Sequence, residues 1–214
     1  MRLVVWPVVL MSFMPLRADE WWAWNMLEVY RAPPWTAGVF LGNRADTEDG
    51  SYVQIVSPRV KYSALPWLDL GLGLSALRIE NPNTHVRHGQ LRPELEINPK
   101  YDLTKHLRLE WRNRMEWRWN ENATFTTHRT RHRLQAAWTL PQPFGPLTRL
   151  FASNEWLVDL HRGDWTENRL VPLGLTLRLN DSADLDCFYM VVSNRHVTAW
   201  KHESVLGTYL RWRF

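Results

Sequence analysis

"HLRLEWRNRMEWRW", residues 106 to 119, carries two different surfaces on one short segment. Every second residue gives His106, Arg108, Glu110, Arg112, Arg114, Glu116 and Arg118. The alternate set is Leu107, Leu109, Trp111, Asn113, Met115, Trp117 and Trp119. Period two is the side-chain period of a β-strand, so the segment reads as a strand with one charged face and one face of Trp, Leu and Met. The pattern recurs. In "LDLGLGLSAL" (68 to 77), Leu68, Leu70, Leu72, Leu74 and Ala76 oppose Asp69, Gly71, Gly73 and Ser75. In "QLRPELEIN" (90 to 98), Leu91, Pro93, Leu95 and Ile97 oppose Gln90, Arg92, Glu94, Glu96 and Asn98. In "THRTRHRLQAAWTL" (127 to 140), Arg129, Arg131, Arg133 and Gln135 oppose Thr130, His132, Leu134, Ala136 and Trp138.

Breaks between these runs alternate in kind. Short turn-forming breaks fall at 64–67, 102–105, 140–146 and 180–183, and more polar ones near 45–50, 81–89, 120–124, 161–164 and 196–200. Turns at one end and polar loops at the other describe an up-and-down meander. The expected strands are ten, at about 36–44, 51–62, 67–79, 89–100, 105–119, 125–139, 147–159, 165–179, 184–195 and 200–214, with twelve as the alternative count. "WNMLEVYR" (24 to 31) also has strand character but would make eleven, against the even count usual for bacterial barrels, and an N-terminal lumen segment is the other reading of residues 22–31. Pro58, Pro93 and Pro172 lie inside expected strands, where each removes a ladder hydrogen bond, so bulges are expected there.

Alternation alone does not say which face meets solvent. In a soluble sandwich the apolar face points in; in an outer-membrane barrel lipid takes the apolar face and the lumen takes the charges. Three features favour the second arrangement. The strands reach the ~9–11 residues that cross a bilayer, Trp gathers near strand ends, and the chain holds 14 Trp among 214 residues, each with an indole N–H that suits a membrane interface better than a dry core.

Arg2, the apolar run "LVVWPVVLMSFM" and "PLRA" before "DEWW" form a signal-peptide layout with cleavage expected after Ala18, leaving residues 19–214 as a single barrel domain. Leu16 is larger than the small residue preferred three positions before the cut. Losing Arg2 and Arg17 leaves 24 Lys and Arg against 22 acids, so the high pI carries little information about nucleic acid. No later segment has the ~18 consecutive apolar residues of a membrane helix. The single cysteine, Cys187, excludes an intramolecular disulfide and reads as a packed thiol.

The C-terminal "VLGTYLRWRF" resembles the targeting strand of outer-membrane proteins, in which a Gly is followed by hydrophobics at three and five residues and the chain closes on Phe. Gly207, Leu210, Trp212 and Phe214 match, while Val205 stands where a polar residue is usual. The resemblance implies assembly through the barrel-assembly machinery and contact with outer-membrane lipid. "RNRMEWR" (112 to 118), "RTRHRLQ" (129 to 135), "SNEWLV" (153 to 158) and "ENRLVPLGLTLRL" (167 to 179) are similar to a bacterial family of small Arg-rich barrels known only as a domain of unknown function. That family implies a fold and a location, not an activity.

The expected site is an inward charge ladder of Glu94, Glu96, Arg108, Glu110, Arg112, Arg114, Glu116, Arg118, Arg129, Arg131, Arg133 and Glu155. Opposite charges at facing strand positions satisfy one another, so the ladder is expected to fill the lumen. The alternatives are an Arg-lined, narrow, anion-favouring pore, a soluble periplasmic lipocalin-like binding barrel, or a lipid-modifying outer-membrane enzyme. For the last, "YMVVSNRHV" (189 to 197) is similar to the end of lipid A deacylases: Ser193 and Asn194 match a His-x-Ser-Asn motif, but Val191 occupies the His position. His196 would project from the opposite strand face, so no catalytic set is expected and the reading leans away from an enzyme. No metal or other cofactor is expected, since His85 with His88 and His128 with His132 lack further ligands. Binding of single-stranded nucleic acid is disfavoured by the Glu interleaved with Arg, which would repel phosphates. Oligomeric state is left open.

Overall fold

The computed structural model describes residues 18–47, 50–81, 84–196 and 199–214. The expected signal peptide up to Arg17 and parts of three polar breaks lie outside the described residues. Among those described there are eleven strands and no helix: β1 (Glu20–Ala32), β2 (Trp35–Asp46), β3 (Gly50–Leu65), β4 (Leu68–Glu80), β5 (Arg87–Asp102), β6 (Leu107–Asn120), β7 (Thr127–Phe144), β8 (Leu147–Asp159), β9 (Asp164–Asn180), β10 (Ala183–Arg195) and β11 (Trp200–Arg213). Each pairs with its sequence neighbours, and β1 meets β11 to close the barrel.

The expected counts of ten and of twelve are both corrected. The ten predicted strands correspond to β2–β11, and the segment set aside at 22–31 is a full wall strand, β1. In a meander of eleven strands the first and last run in the same direction. Closure is therefore parallel, with Glu20 opposite Val205 through Glu28 opposite Arg213, and the barrel is not antiparallel throughout. Parallel pairs are slightly weaker per residue, a cost that closure offsets by removing two open edges.

The prolines divide. At Pro172 the register shifts on both sides, between Phe151 and Ser153 on β8 and between Tyr189 and Val191 on β10, so a bulge forms. At Pro58 and Pro93 no bulge forms. The β3–β4 ladder skips from Val56–Ala76 to Arg59–Gly73, and the β5–β6 ladder from Leu91–Trp119 to Glu94–Glu116, without a change of register. A missing N–H interrupts a ladder there but does not displace it. Residues 140–144, expected as a break, prolong β7 into a hairpin closed at Gly145, whose φ of +57° a glycine adopts without steric cost.

The register assigns faces. The set Arg108 to Arg118 on β6 points inward against Arg129, Arg131, Arg133 and Gln135 of β7, while Leu107, Trp111, Met115 and Trp119 point out. Burial inverts that of a water-soluble domain: Leu72 is 63% and Leu173 55% exposed on the outer wall, whereas Glu116 is 0% exposed inside. Exposed outward aromatics gather at both ends, with Trp35, Trp67, Tyr101, Trp138 and Trp212 toward the short turns and Trp21, Trp119, Trp165 and Trp200 toward the longer loops.

Candidate functional site

The interior has two sides. From β8 around to β1 it holds an apolar patch, with Trp22, Phe151, Val171, Phe188, Met190, Val192 and Val205 in one buried cluster. Small residues let large ones in: Phe188 lies directly opposite both Gly207 and Gly174. A Cβ on Gly207 would sit 2.1 Å from the Phe188 ring. From β3 to β9 the interior is charged. The inward glycines of "LDLGLGLSAL" clear space for it, since Gly71 faces Glu96 and Gly73 faces Glu94.

The charges form one connected circuit. Glu94 accepts from Arg59 Nη2 at 2.6 Å, from Ser75 Oγ at 2.8 Å and pairs with Arg114 Nη1 at 3.0 Å. Glu96 holds Arg59 at 3.1 Å and Arg114 at 2.5 Å. Glu116 takes Arg129 Nη2 at 2.7 Å and Arg131 Nη1 at 3.1 Å, with Arg92 at 3.7 Å and Arg114 at 3.8 Å. Arg131 passes on to Glu155 at 2.8 Å, which also binds Arg112 at 2.5 Å and lies 3.8 Å from Arg169. Arg169 returns through Glu167 at 2.5 Å, and Glu167 lies 3.9 Å from Arg129. Arg44 and Arg169 stack on Trp22, at 3.9 and 4.9 Å from its ring centroid. Each carboxylate thus meets several guanidiniums, which keeps buried charge tolerable where a single pair would not.

Several residues of the expected ladder stand apart from this circuit. Arg108 pairs with Asp102 at the turn end, both about half exposed. Arg118 reaches Asp159 at 3.1 Å near the loops. Glu110 lines the cavity described below and makes no ion pair with a described residue. Arg133 faces Arg112 on β6 and Glu155 on β8, yet Glu155 is occupied by Arg112 and Arg131, and Arg133 has no ion pair among the described residues.

Sequence reasoning missed Arg59, Arg92, Glu167 and Arg169 as members, although Arg59 and Arg92 stand between apolar neighbours. It also missed the turn-side pair in which Arg211 binds Asp186 through both terminal nitrogens at 2.7 and 2.8 Å. Of the C-terminal residues, Gly207 points in under Phe188, while Leu210, Trp212 and Phe214 share the outer face.

Toward the turns the lumen opens into a cavity of about 680 Å³, bordered by Arg112 and Arg133 on one side and by Trp24, Phe40, Phe188 and Tyr209 on the other, where the Arg59 guanidinium lies 5.3 Å from the Phe40 ring centroid. On the outer wall, Ser193 Oγ lies 2.8 Å from Nδ1 of His202, its direct neighbour on β11. The base absent from the strand of Ser193 thus stands on the next one. Among the described residues nothing bonds the other imidazole nitrogen, so the two form a hydrogen-bonded pair without the orienting group of a triad. His132 Nδ1 meets Asn113 Oδ1 at 2.8 Å on the same wall.

Fold and site together define a closed, eleven-stranded β-barrel with an apolar exterior and a charge-paired interior. The chain belongs to the family described as Protein of unknown function (DUF2490), whose model matches residues 21–203, a span that includes all four Arg- and Asn-containing stretches noted above. Among solved structures it is similar to the anion-selective porin from Comamonas acidovorans, at 12% identity and a TM-score of 0.43. That match covers 85% of this chain and 54% of the porin, so the chain spans about half the porin's length. No curated protein matches it.

Proposed function

We propose that the chain is an outer-membrane β-barrel, exported with removal of residues 1–18, whose lumen is closed on its loop side by the Arg/Glu circuit instead of forming an open pore. One observation carries the reading: large apolar residues such as Leu72, Trp111, Leu134 and Leu173 are exposed on the outer wall while Glu94, Glu116 and Glu155 are buried within. Water would penalise that arrangement and lipid would stabilise it, at roughly 25 cal/mol per Å² of apolar surface covered. Strands of 12 to 18 residues exceed the ~9–11 needed to cross a bilayer at a tilt. Exposed Trp at both ends suits two membrane interfaces. A lipocalin-like soluble barrel would need the opposite disposition, with apolar side chains inside and polar ones out.

The closed lumen is supported by the complete burial of Leu157, Glu116 and Val205, which fill the cross-section from different strands. The outward Leu210, Trp212 and Phe214 support recognition of the last strand by the barrel-assembly machinery.

The test is fractionation with electrophoresis. The protein is expected with outer membranes, migrating anomalously until heated, and deletion of Phe214 is expected to reduce assembly. Recovery in the soluble periplasm would overturn the membrane assignment. In a planar bilayer the purified barrel is expected to pass no stepwise current. Sustained anion-selective steps would replace the closed-lumen reading with a pore.

A further inference from the structure

The turn-side cavity has features that charge pairing alone does not explain. Arg112 and Arg133 occupy directly opposed positions on β6 and β7, where like charges repel. Among the described residues Arg112 forms an ion pair with one carboxylate, Glu155, which Arg131 shares, and Glu96 acts on Arg112 only from a longer range. Arg133 has none among the described residues. The Nε donors of both are buried without an acceptor among the described residues, as are those of Arg44, Arg59 and Arg118, and a buried unsatisfied donor in a native structure calls for a partner, whether water, an ion or a ligand.

The opposite wall is aromatic. Trp24, Phe40 and Tyr209 lie 6.3 to 6.4 Å apart, centroid to centroid, and Trp24 is 5.5 Å from Phe188. Tyr209 lies within electrostatic range of Arg112 and Arg133, so the two walls face one another across the lumen. A volume of about 680 Å³ suits a small organic molecule.

We propose that this cavity binds a small organic anion, a carboxylate carried on a ring or short apolar body, entering from the turn side. Arg112 and Arg133 donate to the carboxylate, the Tyr209 hydroxyl adds a further donor, and the body lies against Trp24, Phe40 and Phe188. The bound anion relieves the repulsion between the two guanidiniums and satisfies their free N–H groups. The inference goes beyond the proposed location, because it concerns the folded barrel whether or not that barrel sits in a membrane.

The experiment is isothermal titration calorimetry of the folded barrel in non-ionic detergent with 1-naphthoate, its neutral isostere naphthalene-1-carboxamide, and inorganic phosphate. Naphthoate is expected to bind saturably at one site, with the carboxamide and phosphate each at least tenfold weaker. Arg133→Gln and Tyr209→Phe are each expected to weaken naphthoate about tenfold. Arg133 belongs to no ion pair, so its variant keeps the circuit, and Tyr209→Phe gives a second reading should Arg133→Gln fail to fold. Equal binding of acid and amide would mean partition into apolar surface and would overturn the proposal. So would binding unchanged by both substitutions, phosphate binding as tight as naphthoate, or no saturable heat up to millimolar ligand.

Discussion

Two sets of inward arginines, the loop-side circuit and Arg133 beside Arg112, use the same residue type in different ways. On the loop side every arginine of the circuit shares a carboxylate with others, and Glu116 alone meets Arg129 and Arg131 within 3.1 Å. On the turn side Arg133 has no such partner and borders an open cavity. The difference shows that a row of inward arginines is not one structural feature. Where the wall supplies enough glutamates the row packs, and where it does not the row leaves donors facing space.

Four substitutions test that contrast. The largest effect is expected at Glu116→Ala, which takes from Arg129 its nearest carboxylate and from Arg92 its one ion pair among the described residues, and is expected to cost on the order of 3–5 kcal/mol. Thermal unfolding followed by the loss of heat-modifiable migration measures it. An unchanged melting temperature would mean that water screens the loop-side half as well as the turn-side half, erasing the distinction.

Gly207→Ala comes next and probes the apolar side of the packed half. The new Cβ meets the buried Phe188 ring at 2.1 Å, so overpacking of about 1–3 kcal/mol is expected. Relief by a second change, Phe188→Leu, in a double-mutant cycle would identify that contact as the source.

Asp186→Asn probes the turn side. It weakens the two-nitrogen contact to Arg211, but the arginine is partly open to water, so a loss of about 1–2 kcal/mol is expected. A loss equal to that of Glu116→Ala would show the turn side to be as tightly packed as the loop side.

The smallest effect is expected at Arg133→Gln. Removing an unpaired cation opposite Arg112 is expected to leave stability within about 0.5 kcal/mol, or to raise it slightly. Destabilisation comparable to Glu116→Ala would reveal Arg133 as part of the load-carrying network.

How much of this was readable beforehand follows from distance along the chain. Alternation is local, so the ten strands β2–β11, the two kinds of connection, and the two faces of β4–β7 and β11 were legible from residues only two apart. Gly207 and the outward Leu210, Trp212 and Phe214 were legible for the same reason. β1 was not, because Trp22, Trp24 and Met26 make its inward face apolar as well, and only barrel closure decides whether such a segment joins the wall. An expected even count, carried over from other barrels, displaced it.

Pairing within the site was less legible still. Arg59 reaches Glu94 from β3 to β5, and Arg112 reaches Glu155 from β6 to β8, each contact passing over an intervening strand. Such contacts depend on the barrel's radius, on its stagger and on the glycines of β4 that leave room, and periodicity carries none of these. The base beside Ser193 lay hidden likewise, since His202 belongs to another strand and only register sets them face to face. By itself the sequence determined that strands such as β5, β6 and β7 carry one charged and one apolar face, because that is a property of neighbouring residues. The tertiary structure alone decided that β1 closes the ring in parallel, that Glu116 is saturated with arginines and that Arg133 is left over, because those depend on which strands meet across a curved wall.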